Sequence, residues 1–161
     1  IQSLVFLGEE RVEFICPHQL MGPRPWAAFL RKNERFDLMA TGRAVRILGH
    51  AMSGMTTARS VEFTNIPAPR GTNTNYPTLL GWHFEDDNGR QTALILNLTQ
   101  SRLEVNIGEL PPDFPQQFQQ TVGDPARRTR NNDGVEIVTG NIVDENYLIF
   151  LPYSATLFFS E

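Results

Sequence analysis

The feature that most constrains the fold is a pair of apolar segments, residues 79–85 and 91–98, joined by a short polar linker. The linker holds Asp86, Asp87 and an Asn88-Gly89 pair, which favour turns and positive φ angles. This pattern predicts a β-hairpin. Because the second segment is almost wholly aliphatic, we expect it to be buried on both faces as a central strand of a packed sheet.

The chain beyond residue 57 is dominated by short segments in which apolar and polar residues alternate. Clusters of Gly, Pro, Asn and Asp separate them, as in all-β proteins. The predicted strands are residues 60–64, 79–85, 91–98, 102–107, 117–122, 135–139, 147–151 and 155–159. The pattern predicts a mainly β protein: an antiparallel β-sandwich of about eight strands, preceded by a short α-helical N-terminal segment.

One helix is predicted to begin near Thr41, whose hydroxyl can cap the first turn, and to end at Gly54. Its apolar residues share one broad face at helical spacing. They are Ala44, Val45, Ile47, Leu48, Ala51 and Met52. We expect this face to be covered, and Gly49 to mark close packing against a neighbour. The chain then divides into an N-terminal segment, residues 1–56, and a β-sandwich domain, residues 57–161.

Composition excludes two classes of partner. The net charge is −4, and the 14 basic residues are scattered, apart from a cluster at residues 127–130 that has acidic neighbours. We therefore predict no nucleic-acid partner. No apolar run approaches the roughly 18 residues that span a bilayer, so we predict no membrane partner. The sequence begins with Ile1 and lacks a signal-like N-terminus, and both a secreted and a cytoplasmic location stay open.

The residues that could hold a metal or cofactor are few. Cys16 is the only cysteine, so it can form neither an internal disulfide nor a thiolate metal site within the chain. His18, His50 and His83 are far apart and lack metal-binding spacing. The sequence has no Gly-rich phosphate loop and no Gly-x-Ser-x-Gly motif. We predict no cofactor and no metal.

Four segments resemble, in this order, the end of the catalytic barrel and the C-terminal domain of retaining glycoside hydrolases of the arabinofuranosidase-like kind. Residues 12–20 resemble the final barrel strand and its loop, and residues 40–52 resemble the last barrel helix. Residues 93–99 (Ala-Leu-Ile-Leu-Asn-Leu-Thr) resemble a core strand of the C-terminal domain. Residues 151–157 (Leu-Pro-Tyr-Ser-Ala-Thr-Leu) resemble the turn into its last strand.

This resemblance implies a fragment, the end of a (β/α)8 barrel followed by a β-sandwich accessory domain. The family's acid/base and nucleophile carboxylates sit on earlier barrel strands, which have no counterpart in this sequence. Glycoside hydrolysis requires two such carboxyl groups across a sugar-sized cleft. The adjacent Asp86 and Asp87 are expected to be solvated turn formers. The chain alone is therefore expected to be catalytically silent.

Aromatic and histidine side chains are the candidates for contact with carbohydrate. His18 and Trp26 could line a sugar subsite, and Trp82 and Tyr76 could belong to an exposed platform, together with Tyr147 and Tyr153. The alternatives are a hydrogen-bonded loop histidine at residue 18 and core packing for the strand aromatics.

Three functions follow. The first is a non-catalytic accessory or interaction domain of glycoside-hydrolase origin, which packs on a catalytic barrel chain or self-associates through residues 1–55. The second is a free-standing carbohydrate-binding module. The third is a small enzyme that uses His18 with a nearby carboxylate.

Overall fold

The computed structural model describes residues 29–32, 35–38, 40–63, 78–106, 114–123, 136–142 and 147–160. Within them lie ten strands and one helix. The strands are β1 (Phe29–Lys32), β2 (Arg35–Leu38), β3 (Thr57–Val61), β4 (Leu79–Glu85), β5 (Gln91–Asn97), β6 (Leu103–Asn106), β7 (Gln117–Val122), β8 (Glu136–Asn141), β9 (Tyr147–Phe150) and β10 (Ala155–Phe159), and the helix is α1 (Ala40–Met52). The predicted strand at residues 60–64 begins three residues earlier, and the β1–β2 hairpin was not predicted.

The strands form a two-layered antiparallel sandwich. Six strands make the large sheet in the order β3-β4-β5-β10-β7-β8, and β6 pairs with β9 in a small sheet. These two sheets contain eight strands, so the predicted mainly β sandwich is confirmed. β4 and β5 pair from Leu79↔Asn97 to Glu85↔Gln91, as the hairpin prediction requires.

The small sheet covers one face of the large sheet. Its Leu103, Leu148 and Phe150 form a buried cluster with residues of the large sheet. Those residues are Leu79, Ala93, Ile95 and Phe158. The alternate residues of β5 and β10 point to the opposite face, where they are buried as well. The prediction that residues 91–98 form a central strand buried on both faces is thus confirmed.

Helix α1 covers the other face of the large sheet. Ile47 and Ala51 are fully buried there, in a cluster that also holds Trp82 and Leu157. The Thr92 hydroxyl donates a hydrogen bond of 2.7 Å to the Ala51 carbonyl. Helix α1 therefore covers the sandwich of its own chain and shares a core with the large sheet. The boundary between residues 56 and 57 stays a prediction.

The helix ends near Gly54 as predicted, but fewer of its apolar residues contact the sheet than the sequence pattern indicates. After Met52 the chain turns at Gly54, which has a φ of 74°. Val45 is 39% exposed, and Met52 is exposed as well. Gly49 is exposed, and a Cβ added there would meet no atom within 4 Å. The expectation of close packing at Gly49 is wrong, and of the six apolar residues predicted to share one face, Ile47, Leu48 and Ala51 are the buried ones.

Candidate functional site: a motif junction and an interlayer cleft

The first notable site is a buried amide at the end of β5. Asn97 is 1% exposed, and its Nδ2 donates hydrogen bonds to the carbonyls of Ser101, Phe150 and Leu151 at 2.8, 3.2 and 2.9 Å. Its Oδ1 accepts from the backbone N–H and the hydroxyl of Thr99 at 2.9 and 2.8 Å. One side chain therefore ties the bend after β5 to the end of β9.

The turn between β9 and β10 completes this arrangement. The Tyr153 N–H donates to the Thr99 carbonyl, and the Asn97 N–H donates to the Ser154 carbonyl, both at 2.9 Å. Tyr153 has a φ of 49°, in the left-handed region that residues other than glycine rarely adopt. The segments at residues 93–99 and 151–157 thus meet at one structural element, which we call the motif junction: Asn97, Thr99, Ser101 and residues 150–154.

The second site is a cleft of about 250 Å³ between the two sheets. β9 forms one wall, and side chains of β7 and β10 form the floor. The lining residues are Phe118, Asn141, Ile142, Tyr147, Leu148, Ile149, Thr156 and Phe158. Beside it, Gln120 Nε2 donates to the Ile149 carbonyl at 3.0 Å and to the Thr156 hydroxyl at 2.7 Å, which fixes the separation of the layers.

The lining limits what the cleft can do chemically. Its surface is mainly apolar, and the described residues that line it carry no carboxyl group. Acid/base hydrolysis of a glycoside needs two carboxyl groups, and none of these described residues supplies one. Tyr147 is 48% exposed at the cleft and could contact an apolar surface or the face of a sugar ring.

The adjacent carboxylates of the β4–β5 hairpin are turn formers, as predicted, but Asp86 is not freely solvated, since its side chain is only 12% exposed. Asp86 Oδ1 accepts the backbone N–H groups of Asn88 and Arg90 at 2.9 and 2.8 Å, and its Oδ2 pairs with Arg90 Nε at 3.2 Å. The Arg90 backbone hydrogen bond is the largest cause that lowers the pKa of Asp86 below its ordinary value. Asp87 accepts the Thr56 hydroxyl at 2.9 Å. Gly89, and not Asn88, supplies the positive φ of the turn.

The predicted carbohydrate contacts are placed as follows. His18, Trp26 and Tyr76 lie outside the described residues. Trp82 is 4% exposed in the core beneath α1, which corresponds to the core-packing alternative. It therefore does not present a ring face to solvent. Tyr153, in contrast, is 60% exposed.

The two histidines in the described part of the chain make local contacts. The His50 ring lies 4.8 Å from that of Phe159, and its Nδ1 is 3.2 Å from Gln119 Oε1. His83 Nε2 is 3.2 Å from Gln91 Oε1. Among the described residues, no three His, Cys, Asp or Glu side chains are grouped so that they could hold a metal ion. No helix in that part has the length and apolarity needed to cross a membrane.

Sequence reasoning missed the role of Asn97 and the cleft. The available signal for Asn97 was a polar residue at the end of an otherwise aliphatic strand, since such a residue needs hydrogen-bond partners when it is buried. The cleft has no local signal, because its lining comes from β7, β9, β10 and the end of β8.

Comparisons with known proteins find similarity in structure only. No protein-family profile and no curated protein sequence matches the chain. Among solved structures, a GH51 α-L-arabinofuranosidase from Thermotoga petrophila RKU-1 aligns with a TM-score of 0.56 and 17% identity, over 84% of this chain and 32% of that enzyme. A second arabinofuranosidase aligns with the same TM-score and identity, over 83% of this chain and 31% of that enzyme. A GH86 β-porphyranase from Bacteroides plebeius aligns with a TM-score of 0.50 and 15% identity, over 84% of this chain and 23% of that enzyme.

Identity this low establishes a shared fold and nothing finer. The chain spans less than a third of the length of these enzymes. Such coverage fits a partial domain, as expected for the C-terminal part of a glycoside hydrolase.

Proposed function

We propose that this chain, which has the fold of part of the GH51 arabinofuranosidases, is a non-catalytic β-sandwich accessory domain of glycoside-hydrolase origin. In this proposal the chain packs on a catalytic barrel or associates with itself. The observation that carries the proposal is the coverage, in which 84% of this chain aligns with only 32% of the Thermotoga petrophila enzyme.

The helix supports a specific docking surface within residues 1–55. Its buried stripe is already occupied by the large sheet. Val45 and Met52 are exposed large apolar side chains on α1 and remain available to a partner. Removing exposed apolar side chains from water is favourable when a partner covers them. We therefore assign the contact to the solvent side of α1.

The experiment is a light-scattering and titration study of the purified chain, alone and with the barrel part of an arabinofuranosidase. We expect an oligomer or a complex with the barrel, weakened at least about tenfold by Val45→Asp or Met52→Asp, since an unpaired charge would then be buried. Val138→Asp is the matched control, because Val138 is also 39% exposed but lies on β8. A monomer that binds no barrel, or equal weakening by the control, contradicts the assignment.

A free-standing carbohydrate-binding module is the second candidate, and the half-exposed Tyr147 and Tyr153 favour it. Polysaccharide pull-down tests it. Binding that is lost in Trp26→Ala, Tyr76→Ala or His18→Ala supports this function. Trp82→Phe is the control, since Trp82 belongs to the core and an alanine there would disturb the fold.

A further inference from the structure

The tip of the β4–β5 hairpin carries a reactive pair. Asn88 and Gly89 are both exposed there, and Asn88 is the only asparagine in the sequence that is followed by glycine. Because Gly89 has no side chain, no Cβ hinders the approach of its backbone nitrogen to the neighbouring amide. We propose that Asn88 is a site of spontaneous deamidation, and that its isoaspartate product weakens the contact between this hairpin and α1.

The chemistry needs only water and the chain itself. The Gly89 backbone nitrogen loses its proton and attacks Asn88 Cγ, which forms a new C–N bond. The bond from Cγ to Nδ2 breaks, ammonia leaves, and a succinimide ring remains. Water then opens the ring at Cγ to give aspartate, or at the main-chain carbonyl to give isoaspartate. No oxidant, reductant or cofactor takes part.

The structure defines what must open before this attack. The Gly89 N–H donates to the Asp86 carbonyl at 3.1 Å. This bond must break for the attack, while the Asp86 carboxylate also holds the turn through the Asn88 and Arg90 N–H groups. At an exposed hairpin tip such local opening costs less free energy than in the core. In contrast, Asn97 is buried, and Asn141 lies at the end of β8 and precedes the β-branched Ile142.

The expected weakening concerns three hydrogen bonds that we call the hairpin latch: Arg90 to Asp86, Arg90 to Ser53 and Thr56 to Asp87. The Arg90 backbone N–H donates to Asp86 Oδ1 at 2.8 Å, and the Arg90 guanidinium donates to the carbonyl of Ser53, just past the end of α1. Thr56 donates to Asp87 at 2.9 Å. Isoaspartate inserts a methylene group into the main chain before Gly89. That insertion displaces Arg90 from Asp86 and so disturbs the latch.

The test is ageing of the folded full-length chain at mildly alkaline pH, followed by peptide mass mapping and labelling with an isoaspartyl methyltransferase. We expect the amide-to-acid mass change and most of the label at Asn88, with little change at Asn97 and Asn141. Modification spread over these three sites, or its absence at Asn88, overturns the proposal.

A matched variant tests the consequence for the latch. Asn88→Gln keeps the amide but disfavours ring closure, so the variant should keep its thermal midpoint during ageing while the native chain loses stability. Equal midpoints for modified and unmodified protein would overturn the role assigned to the latch.

Discussion

Asn97 is the residue on which the motif junction depends. Replacement by alanine leaves the carbonyls of Ser101, Phe150 and Leu151 without this donor, and an unsatisfied buried polar group costs about 1–3 kcal/mol. We expect Asn97→Ala to lower the free energy of unfolding by about 2–4 kcal/mol. Denaturant titration measures it. Asn141→Ala, at an exposed position, should change stability by less than about 0.5 kcal/mol. Similar losses for the two variants would contradict the assigned role.

Two glycines should respond to alanine in opposite directions. At Gly49 a Cβ meets no atom within 4 Å, so Gly49→Ala should stabilise the helix by about 0.5–1 kcal/mol. At Gly81 the added Cβ would lie 2.9 Å from the Phe63 ring, so Gly81→Ala should destabilise the protein. Thermal melting of the two variants gives the signs. A loss of stability for Gly49→Ala, or a gain for Gly81→Ala, would contradict these predictions.

Sequence patterns predicted properties of individual residues but not the residues that they contact. Asn97 was recognisable as part of a motif, yet its carbonyl partners lie up to 54 residues away along the chain. The prediction of close packing at Gly49 failed for a related reason. Helical spacing identifies the apolar face of a helix but does not show which part of that face contacts the sheet. The core position of Trp82 depended on the same tertiary information.

At the scale of the element, the hairpin turn should make stability depend on pH. The folded-state pKa of Asp86 lies below its ordinary value of 3.8, mainly through the Arg90 backbone hydrogen bond. The ionised carboxylate therefore adds stability above that ordinary value, and the contribution disappears as the pH falls through the lower folded-state pKa. We expect Asp86→Asn to flatten the acid side of the stability profile, measured by thermal melting. A native and a variant profile that run parallel would contradict this.

Elements were predictable where the local signal was long and regular. The bounds of β4, β7 and β10 agree with the predicted strands. β4 and β10 are mainly apolar segments bounded by turn residues. β3 begins earlier than predicted because Thr57 and Ala58 pair with Glu85 and Phe84. The β1–β2 hairpin escaped prediction because its strands are only four residues long and rich in charge.

At the scale of the molecule, the shared core predicts that α1 and the sandwich unfold together. Ile47 is fully buried beside Trp82, so Ile47→Ala should cost about 2–5 kcal/mol. In a Trp26→Phe background, helix ellipticity and Trp82 fluorescence should give coincident transitions in the native and the variant protein. A separate, earlier loss of the helical signal would show that α1 and the sheet do not share a cooperative core.

The layered architecture was accessible from the sequence, since inward and outward side chains alternate across most of the predicted strands. The position of the helix was not, because an apolar helix face is equally consistent with a barrel, a second copy or its own sheet. The cleft depends on how far β9 lies from β7, which no local pattern records.

We propose that this chain supplies structure, while the hydrolytic carboxylates lie on another polypeptide segment. The most direct measurement is hydrolysis of an aryl α-L-arabinofuranoside by the purified chain, with a GH51 arabinofuranosidase as the positive control. We expect the purified chain to release no aryl group above the enzyme-free blank. Sustained turnover that is abolished by His18→Ala would contradict it and establish the small-enzyme alternative.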